Sequence, residues 1–379
     1  MTQTIDPVAL TADLIRCPSV SPEEGGAIAL LEGLLGPLGF ACTRISRGGV
    51  ENLYARWGRG QPVFAFAGHT DVVPVGDKAA WSRDPFGAEI VDGVLWGRGA
   101  TDMKSGVAAF VAAVAELVRD NPQGSIVLLI TGDEEGDATD GTVAILDWMR
   151  ENGEAADFCL VGEPTSVVEL GDTAKIGRRG SMNGVLTVRG QQGHSAYPER
   201  AANPLPALAK ICAALAGHPL DDGSEHFQPS TCALTSIDTG NPAGNVIPSA
   251  GQAAFNIRFN DLHSATSLRT WAEETAGREV AGTELTAELT WKVSGESFVT
   301  QPGPRVEAVV NAIAAATNHR PKLTTGGGTS DARFIKDLCP VMEFGLVGDT
   351  MHQVDERVPV ASIRALSRIY LDILRRFFR

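Results

Sequence analysis

Three apolar runs in this chain end in the same kind of turn. Val63-Phe-Ala-Phe-Ala67 runs into Gly68-His69, and Ser125-Ile-Val-Leu-Leu-Ile-Thr131 into Gly132-Asp133-Glu134-Glu135. Phe158-Cys-Leu-Val161 runs into Gly162-Glu163-Pro164. Short apolar runs bounded by glycine and acidic residues read as buried strands. Helical patterns lie between them: an alanine-rich one over 104–119 and another from Gly141 to Arg150. Strand, acidic turn and helix in repetition is the signature of an α/β sheet. In such sheets ligands sit outside the carboxyl ends of the strands, where these turns cluster.

The chain has 379 residues, more than one core normally serves, so two domains are expected. Residues 5–17 and 26–38 carry helical spacing, with Pro22 and Glu23 ahead of the second run and Gly39 closing it. After Arg179 the pattern changes. Residues 180–190 alternate as a half-exposed strand, followed by a helix at 203–216 and strands at 231–238 and 252–259. A helix at 264–276 and a strand at 284–292 complete the series. The order β-α-β-β-α-β fits a two-layer ferredoxin-like unit. From about Pro302 the first pattern resumes, with helices at 304–317 and 361–378 and a strand at 340–344. The expected architecture is a mixed-sheet α/β domain split over 1–178 and 294–379, with an inserted ferredoxin-like α+β domain at 179–293.

Composition removes several classes of function. The net charge is −14, from 32 basic and 46 acidic residues, which argues against nucleic acid or an anionic membrane as a partner. The most apolar run, Val107 to Val118, is broken by Glu116 and falls well short of the roughly 20 residues that span a bilayer. No basic region followed by an apolar stretch opens the chain. Six cysteines, at 17, 42, 159, 212, 232 and 339, form no C-x-x-C pair, as for free thiols in a reducing compartment. A soluble cytoplasmic protein is expected.

His69, Asp102, Glu135, Glu163 and His352 each sit in a glycine-containing turn. Any one of them alone is ordinary in a capped loop. Together they offer imidazole and carboxylate without thiolate, a donor set that suits zinc, cobalt or manganese in a catalytic site. Asp102, in the turn Trp96-Gly-Arg-Gly-Ala-Thr-Asp102-Met-Lys-Ser-Gly106, has such a motif on either side in sequence and is expected to lie between two ions. Asp71 is two residues from His69, so on extended chain it points the same way and can lean on the ligand imidazole. Glu134 and Glu135 point apart, so one can bind metal while the other serves as general base. Two ions sharing a water are a known means of amide hydrolysis near neutral pH.

These residues carry a resemblance over essentially the whole chain. Gly68-His69-Thr-Asp71-Val-Val-Pro74, Gly97-Arg-Gly-Ala-Thr-Asp102-Met-Lys-Ser-Gly106 and Asp133-Glu134-Glu135 resemble the metal-site motifs of the di-zinc aminoacylase and carboxypeptidase family. Further similarity lies in Lys175-Ile-Gly-Arg178-Arg179-Gly-Ser181, Gly193-His194-Ser-Ala-Tyr197-Pro198, Gly326-Gly-Gly-Thr329-Ser330-Asp331-Ala-Arg333-Phe334 and Met351-His352-Gln-Val-Asp355-Glu356. The resemblance implies Asp102 as the bridging ligand, His69 and Glu163 completing one zinc site, and Glu135 and His352 the other. Cobalt is a possible substitute for zinc. It further implies Glu134 as general base, Asp71 as the partner of His69, and a cis Asp102–Met103 peptide.

The same resemblance implies that the insert forms a homodimer and that His194 reaches the partner subunit's active site to donate to the tetrahedral oxyanion. His194 could equally cap the loop before Ser195. The activity implied is hydrolysis of the amide between a small dicarboxylic acid and an amino acid that itself carries two carboxylates. Such a substrate carries three carboxylates, which arginine binds bidentately. Of the basic residues Lys175, Arg178, Arg179 and Arg258, the better candidates are Arg178 and Arg258. Ser181, Tyr197, Asn245, Gly327, Thr329 and Ser330 are candidates for further polar contacts. The alternatives are another deacylase or exopeptidase of the family and, in a different class, a metal-dependent amino-acid-binding protein without catalysis. A full ligand set together with Glu134 speaks against the last.

Overall fold

The computed structural model describes residues 4–379. The chain divides into two units. One runs to Gly177 and resumes at Thr300–Thr324 and Ser330–Arg379; the other is Arg178–Val299 with Thr325–Thr329. The second unit thus runs past the 293 read from the sequence, because its last long strand, Thr286–Gly295, pairs with Gly180–Arg189 up to Ser181↔Gly295.

The first unit is built on an eight-stranded mixed sheet. Its order is 41–47, 50–58, 125–131, 63–69, 158–161, 341–343, 173–175 and 322–324. Strands 125–131, 63–69, 158–161 and 341–343 run parallel, and every residue of 63–69 and 125–131 is buried. Burial on both faces explains why these strands read as unbroken apolar runs rather than alternating ones.

The hairpin Ala41–Arg47 and Val50–Gly58 pairs antiparallel onto the sheet edge. The sequence reading left it unassigned. Its exposed strand alternates weakly, but the two-residue loop Gly48-Gly49, with φ +59 and +89, is a hairpin signal: a primed turn needs φ > 0 at both positions.

The helix Lys104–Leu117 lies under the sheet with nearly every residue buried, as its alanine content allows. Phe110 stacks on Phe66 with centroids 4.0 Å apart, a pairing worth about 0.5–1.5 kcal/mol beyond area burial. A side chain at Gly106 would place its Cβ 2.5 Å from the carbonyl oxygen of Gly162. Only glycine lets the start of this helix approach the end of the strand that leads to Glu163. Among the described residues no helix is long and apolar enough to cross a membrane.

The second unit is a four-stranded antiparallel sheet of order 231–238, 250–259, 180–189, 286–295. Taken in chain order with helices Leu205–Gly217 and Ala265–Val280, this is the ferredoxin-like arrangement. Met182, Leu186, Phe255, Ile257 and Phe259 form its core with Leu208, Ile211, Leu215 and Leu268 from the helices.

Candidate active site

The first unit brings the predicted ligands together because its parallel strands end side by side. Val63–His69 carries His69 as its last residue; Glu134 and Glu135 follow Ser125–Thr131, and Glu163 follows Phe158–Val161. Asp102 enters from the turn ahead of helix Lys104–Leu117, with the Asp102–Met103 peptide cis. His352 arrives on the turn before the short strand Arg357–Pro359. It has a left-handed φ of 62°, uncommon away from glycine and found where surrounding structure holds it.

Asp102 divides its oxygens. Oδ1 lies 3.2 Å from Nε2 of His69, and Oδ2 lies 3.4 Å from Nε2 of His352. Glu163 Oε1 is 3.9 Å from the same His69 nitrogen, and Glu135 Oε1 is 2.8 Å from that of His352. Two donor sets follow, His69–Asp102–Glu163 and Asp102–Glu135–His352, each with its atoms within 4.8 Å of one another; His69, Glu134 and Glu135 also fall within that distance. His69, Asp102 and Glu163 are buried, whereas His352 is exposed.

The donors fit divalent cations. His69 Nδ1 lies 2.9 Å from the main-chain oxygen of Asp71. A carbonyl can only accept, so Nδ1 carries a proton, and in a neutral ring the bare Nε2 would face two carboxylates. A lone pair facing two anions in a buried site calls for positive charge between them. The electrostatics agree: burial alone would lower the His69 pKa, yet Asp102, Asp71 and Glu163 hold it well above its ordinary value. His352 is pushed up to about 10, first by its hydrogen bond with Asp102 and then by that with Glu135. Asp102, which burial alone would raise, is held below the usual carboxylate range by its two histidines.

Asp71 acts differently from the reading of its sequence spacing. Its carboxylate is 3.7 Å from His69 Nδ1, farther than its own carbonyl. The two carboxylate oxygens instead accept from the main-chain N–H of Glu134 at 3.2 Å and of Glu135 at 3.0 Å. The carboxylate is drawn to the two main-chain N–H groups that follow strand Ser125–Thr131, and the contact with His69 falls to the Asp71 carbonyl. Burial pushes Asp71 up to about 6. Burial, and next the charge of Glu163, pushes Glu134 well above the ordinary glutamate value.

Two buried groups of this unit had no assigned part in the sequence reading. Asp331, 5% exposed, accepts from Thr142 Oγ1 at 2.7 Å through one oxygen, and its other oxygen has no partner. Glu356 binds the Asp102 turn through its carboxylate. Both stand inside quoted motifs, but a carboxylate that follows a histidine or a serine in a loop reads as solvated unless burial is known. Ser330, a candidate for substrate contact, is fully buried and donates to Glu343 at 2.7 Å, so its hydroxyl proton is already committed.

The remaining candidates belong to the second unit. Arg178, 5% exposed, donates to the carbonyl of Gly328 at 2.8 Å. Arg258 Nε donates to Asn256 at 3.1 Å, while its Nη1 and the Nε of Arg179 are buried without partners. Burial, and then the charge of Arg179, lowers the Arg258 pKa. Buried guanidinium N–H groups left unsatisfied beside a like charge are suited to an anion. Ser181 is buried, with its hydroxyl near Asn256. Tyr197 and Asn245 are exposed, as is Gly327 at φ +101, and Thr329 is half-buried. His194 is exposed at the end of the short strand Gly193–His194 and accepts the N–H of Ala196 through Nδ1 at 3.0 Å. That cap leaves the proton of a neutral ring on Nε2, free to donate.

Known proteins resemble this chain throughout. Residues 65–376 match the model of peptidase family M20/M25/M40. A protein of Cereibacter sphaeroides named succinyl-diaminopimelate desuccinylase is 63% identical over 377 residues, covering 99% of each chain. Among solved structures, an aminopeptidase of Bacillus cereus superposes with a TM-score of 0.81 at 20% identity, covering 99% of this chain and 98% of that one. A Bacillus subtilis protein described as a dinuclear metal-binding peptidase of family M20 gives a TM-score of 0.74 at 16% identity, covering 97% and 96%.

Proposed function

Because the chain belongs to peptidase family M20/M25/M40, we propose that it hydrolyses N-succinyl-LL-2,6-diaminopimelate to succinate and LL-2,6-diaminopimelate. It is a hydrolase of a metal-dependent family, and the proposed place of its reaction is diaminopimelate and lysine biosynthesis. The observation that carries the reading is the division of Asp102 between His69 and His352, with Glu134 beside both donor sets. The cations proposed are two zinc ions per chain, with cobalt able to substitute: one held by His69, Asp102 and Glu163, the other by Asp102, Glu135 and His352.

When bound, such ions supply Lewis acidity at the amide carbonyl and make a water nucleophilic near neutral pH. The chain's own residues do the rest. Glu134 takes the proton of the attacking water and passes it to the departing nitrogen, so the amine leaves neutral as the C–N bond breaks. Asp71 fixes the main chain of Glu134 and Glu135, which holds the base and its neighbouring ligand apart. His69 keeps its proton on Nδ1, directed at the carbonyl of Asp71, so Nε2 stays available as a ligand.

Substrate carboxylates are assigned to Arg178 and Arg258, with Ser181, Tyr197, Asn245, Gly327, Thr329 and Ser330 as further candidates. The unpartnered Nη1 of Arg258 supports this, and the burial of Ser330 makes it the weakest of the set. In the homodimer proposed, the partner subunit's His194 donates Nε2–H to the oxyanion. The deciding experiment is a substrate panel: faster turnover of the succinylated substrate than of acetylornithine or dipeptides supports the assignment, and the reverse order overturns it.

A further inference from the structure

Glu356 is 1% exposed, and one turn uses both of its carboxylate oxygens. Oε1 accepts from the main-chain N–H of Thr101 at 2.8 Å and of Asp102 at 3.1 Å. Oε2 accepts from the N–H of Gly99 at 3.0 Å and from Nη1 of Arg98 at 2.8 Å. The main-chain oxygen of Glu356 takes the N–H of Gly97 at 2.9 Å. Arg98 is itself buried and lies over the ring of Trp81 at 5.1 Å.

The partner of this turn is the segment that carries His352. Glu356 follows His352 through residues that include Asp355, whose φ of 59° is also left-handed. Next to it, Thr101 Oγ1 donates to the carbonyl of Arg357 at 3.0 Å and lies 3.3 Å from Thr350 Oγ1. Trp96 pairs with Arg357 across a short sheet. The Asp102 turn and the His352 segment are therefore one hydrogen-bonded body, with Glu356 at its centre.

We propose that Glu356 is a positioning residue that sets Asp102 and His352 in common register, so that the two cation positions form together. Asp102 can face His69 with one oxygen and His352 with the other only if its main chain is held in one orientation, and its N–H is held by Glu356. An ionised carboxylate has acceptor sites for all four donors and no hydrogen of its own. Glutamine in its place would turn an NH2 group toward N–H donors, leaving buried donors unsatisfied. Glu356 touches neither substrate nor ion in this account. It acts through the backbone of Asp102, as groups behind metal ligands generally do, at a cost of roughly 10- to 100-fold when removed.

The inference rests on the reading of Asp102 and His352 as ligands, and the test separates the two. The full-length protein, Glu356→Gln and Asp102→Ala are titrated with Zn2+ alone by calorimetry, and the visible bands of the Co2+-loaded forms are recorded. Cooperative melting checks that each variant is folded. The expected result is two ions bound by the unaltered chain, both disturbed in Asp102→Ala, and both weakened by roughly 10- to 100-fold in Glu356→Gln with altered cobalt bands. Wild-type affinity and bands in Glu356→Gln, with Asp102→Ala losing both ions, overturn the role of Glu356 alone. Failure of the unaltered chain to bind two ions overturns the ligand reading and this inference with it. Should Glu356→Gln not fold, Arg98→Met removes one donor and decides: weaker binding at both positions supports the proposal, and unchanged binding overturns it.

Discussion

The buried carboxylate of Asp71 accepts the main-chain N–H of Glu134 at 3.2 Å, and its second oxygen serves Glu135 in the same way. Asp71 thus orders the proposed base, Glu134, and a proposed ligand, Glu135, through their backbones, while its main-chain carbonyl orders His69.

Asp71→Asn is therefore expected to lower kcat by roughly 10- to 100-fold while zinc at the His69 position stays bound. An amide keeps one acceptor, so one of the two N–H groups loses its partner, but the contact with His69 uses the backbone and survives. Steady-state kinetics with metal analysis checks this. Loss of the His69 ion in Asp71→Asn would show that the carboxylate orients the imidazole after all.

Glu134→Ala should keep both ions and lose about 100- to 10,000-fold in turnover, the range for removal of a general base. The ligand sets that include Asp102 do not contain Glu134, which is why metal content and rate should separate. Turnover within a few-fold of the unaltered chain would sink the assignment.

The convergence of the candidate ligands was legible in the sequence because a buried parallel strand has to be apolar and has to end in a turn. His69, Glu135 and Glu163 follow three such runs, so the runs and their turns locate them. Two kinds of feature were not legible. The hairpin at 41–58 mixes Arg44, Arg47 and Glu51 into an exposed edge, where side-chain pattern is weak and only Gly48-Gly49 marks the turn. Glu356 looks like a solvated loop residue, since its burial and four donors exist only once the Asp102 turn has folded against it. Ser330 shows the converse: it stands in a glycine-rich loop yet is buried against Glu343.

His194 tests the proposed dimer. His194→Ala is expected to cost about 100- to 1,000-fold, as for one oxyanion donor. Mixing His194→Ala with Glu134→Ala chains should then restore activity, because one site of each mixed dimer has an intact Glu134 and the partner subunit's His194. No recovery after subunit exchange would mean that His194 acts within its own chain or not at all.

Asp221 gives the insert a pH dependence. It accepts from Gly223 N at 2.7 Å and Asn260 Nδ2 at 2.6 Å, also from Ser230 N, and it pairs with His263 at 3.1 Å. Burial would raise its pKa, but the Ser230, Gly223 and Asn260 hydrogen bonds hold it below the usual value. A carboxyl with a lowered folded pKa contributes stability above its unfolded value, about 3.9, and loses it as pH falls through the folded one. Asp221→Asn should accordingly destabilise the chain at pH 7, and the deficit should shrink below about pH 4. Urea melts at both values check it; a deficit independent of pH contradicts the account.

The most direct test combines metal analysis with turnover of N-succinyl-LL-2,6-diaminopimelate on the full-length protein. The account predicts two zinc ions per chain at the two donor sets, with succinate released faster than acetate from acetylornithine. It also predicts that activity is lost to a chelator and restored by added zinc. A chain that binds both ions yet leaves the succinylated substrate intact, or prefers acetylornithine, would contradict it.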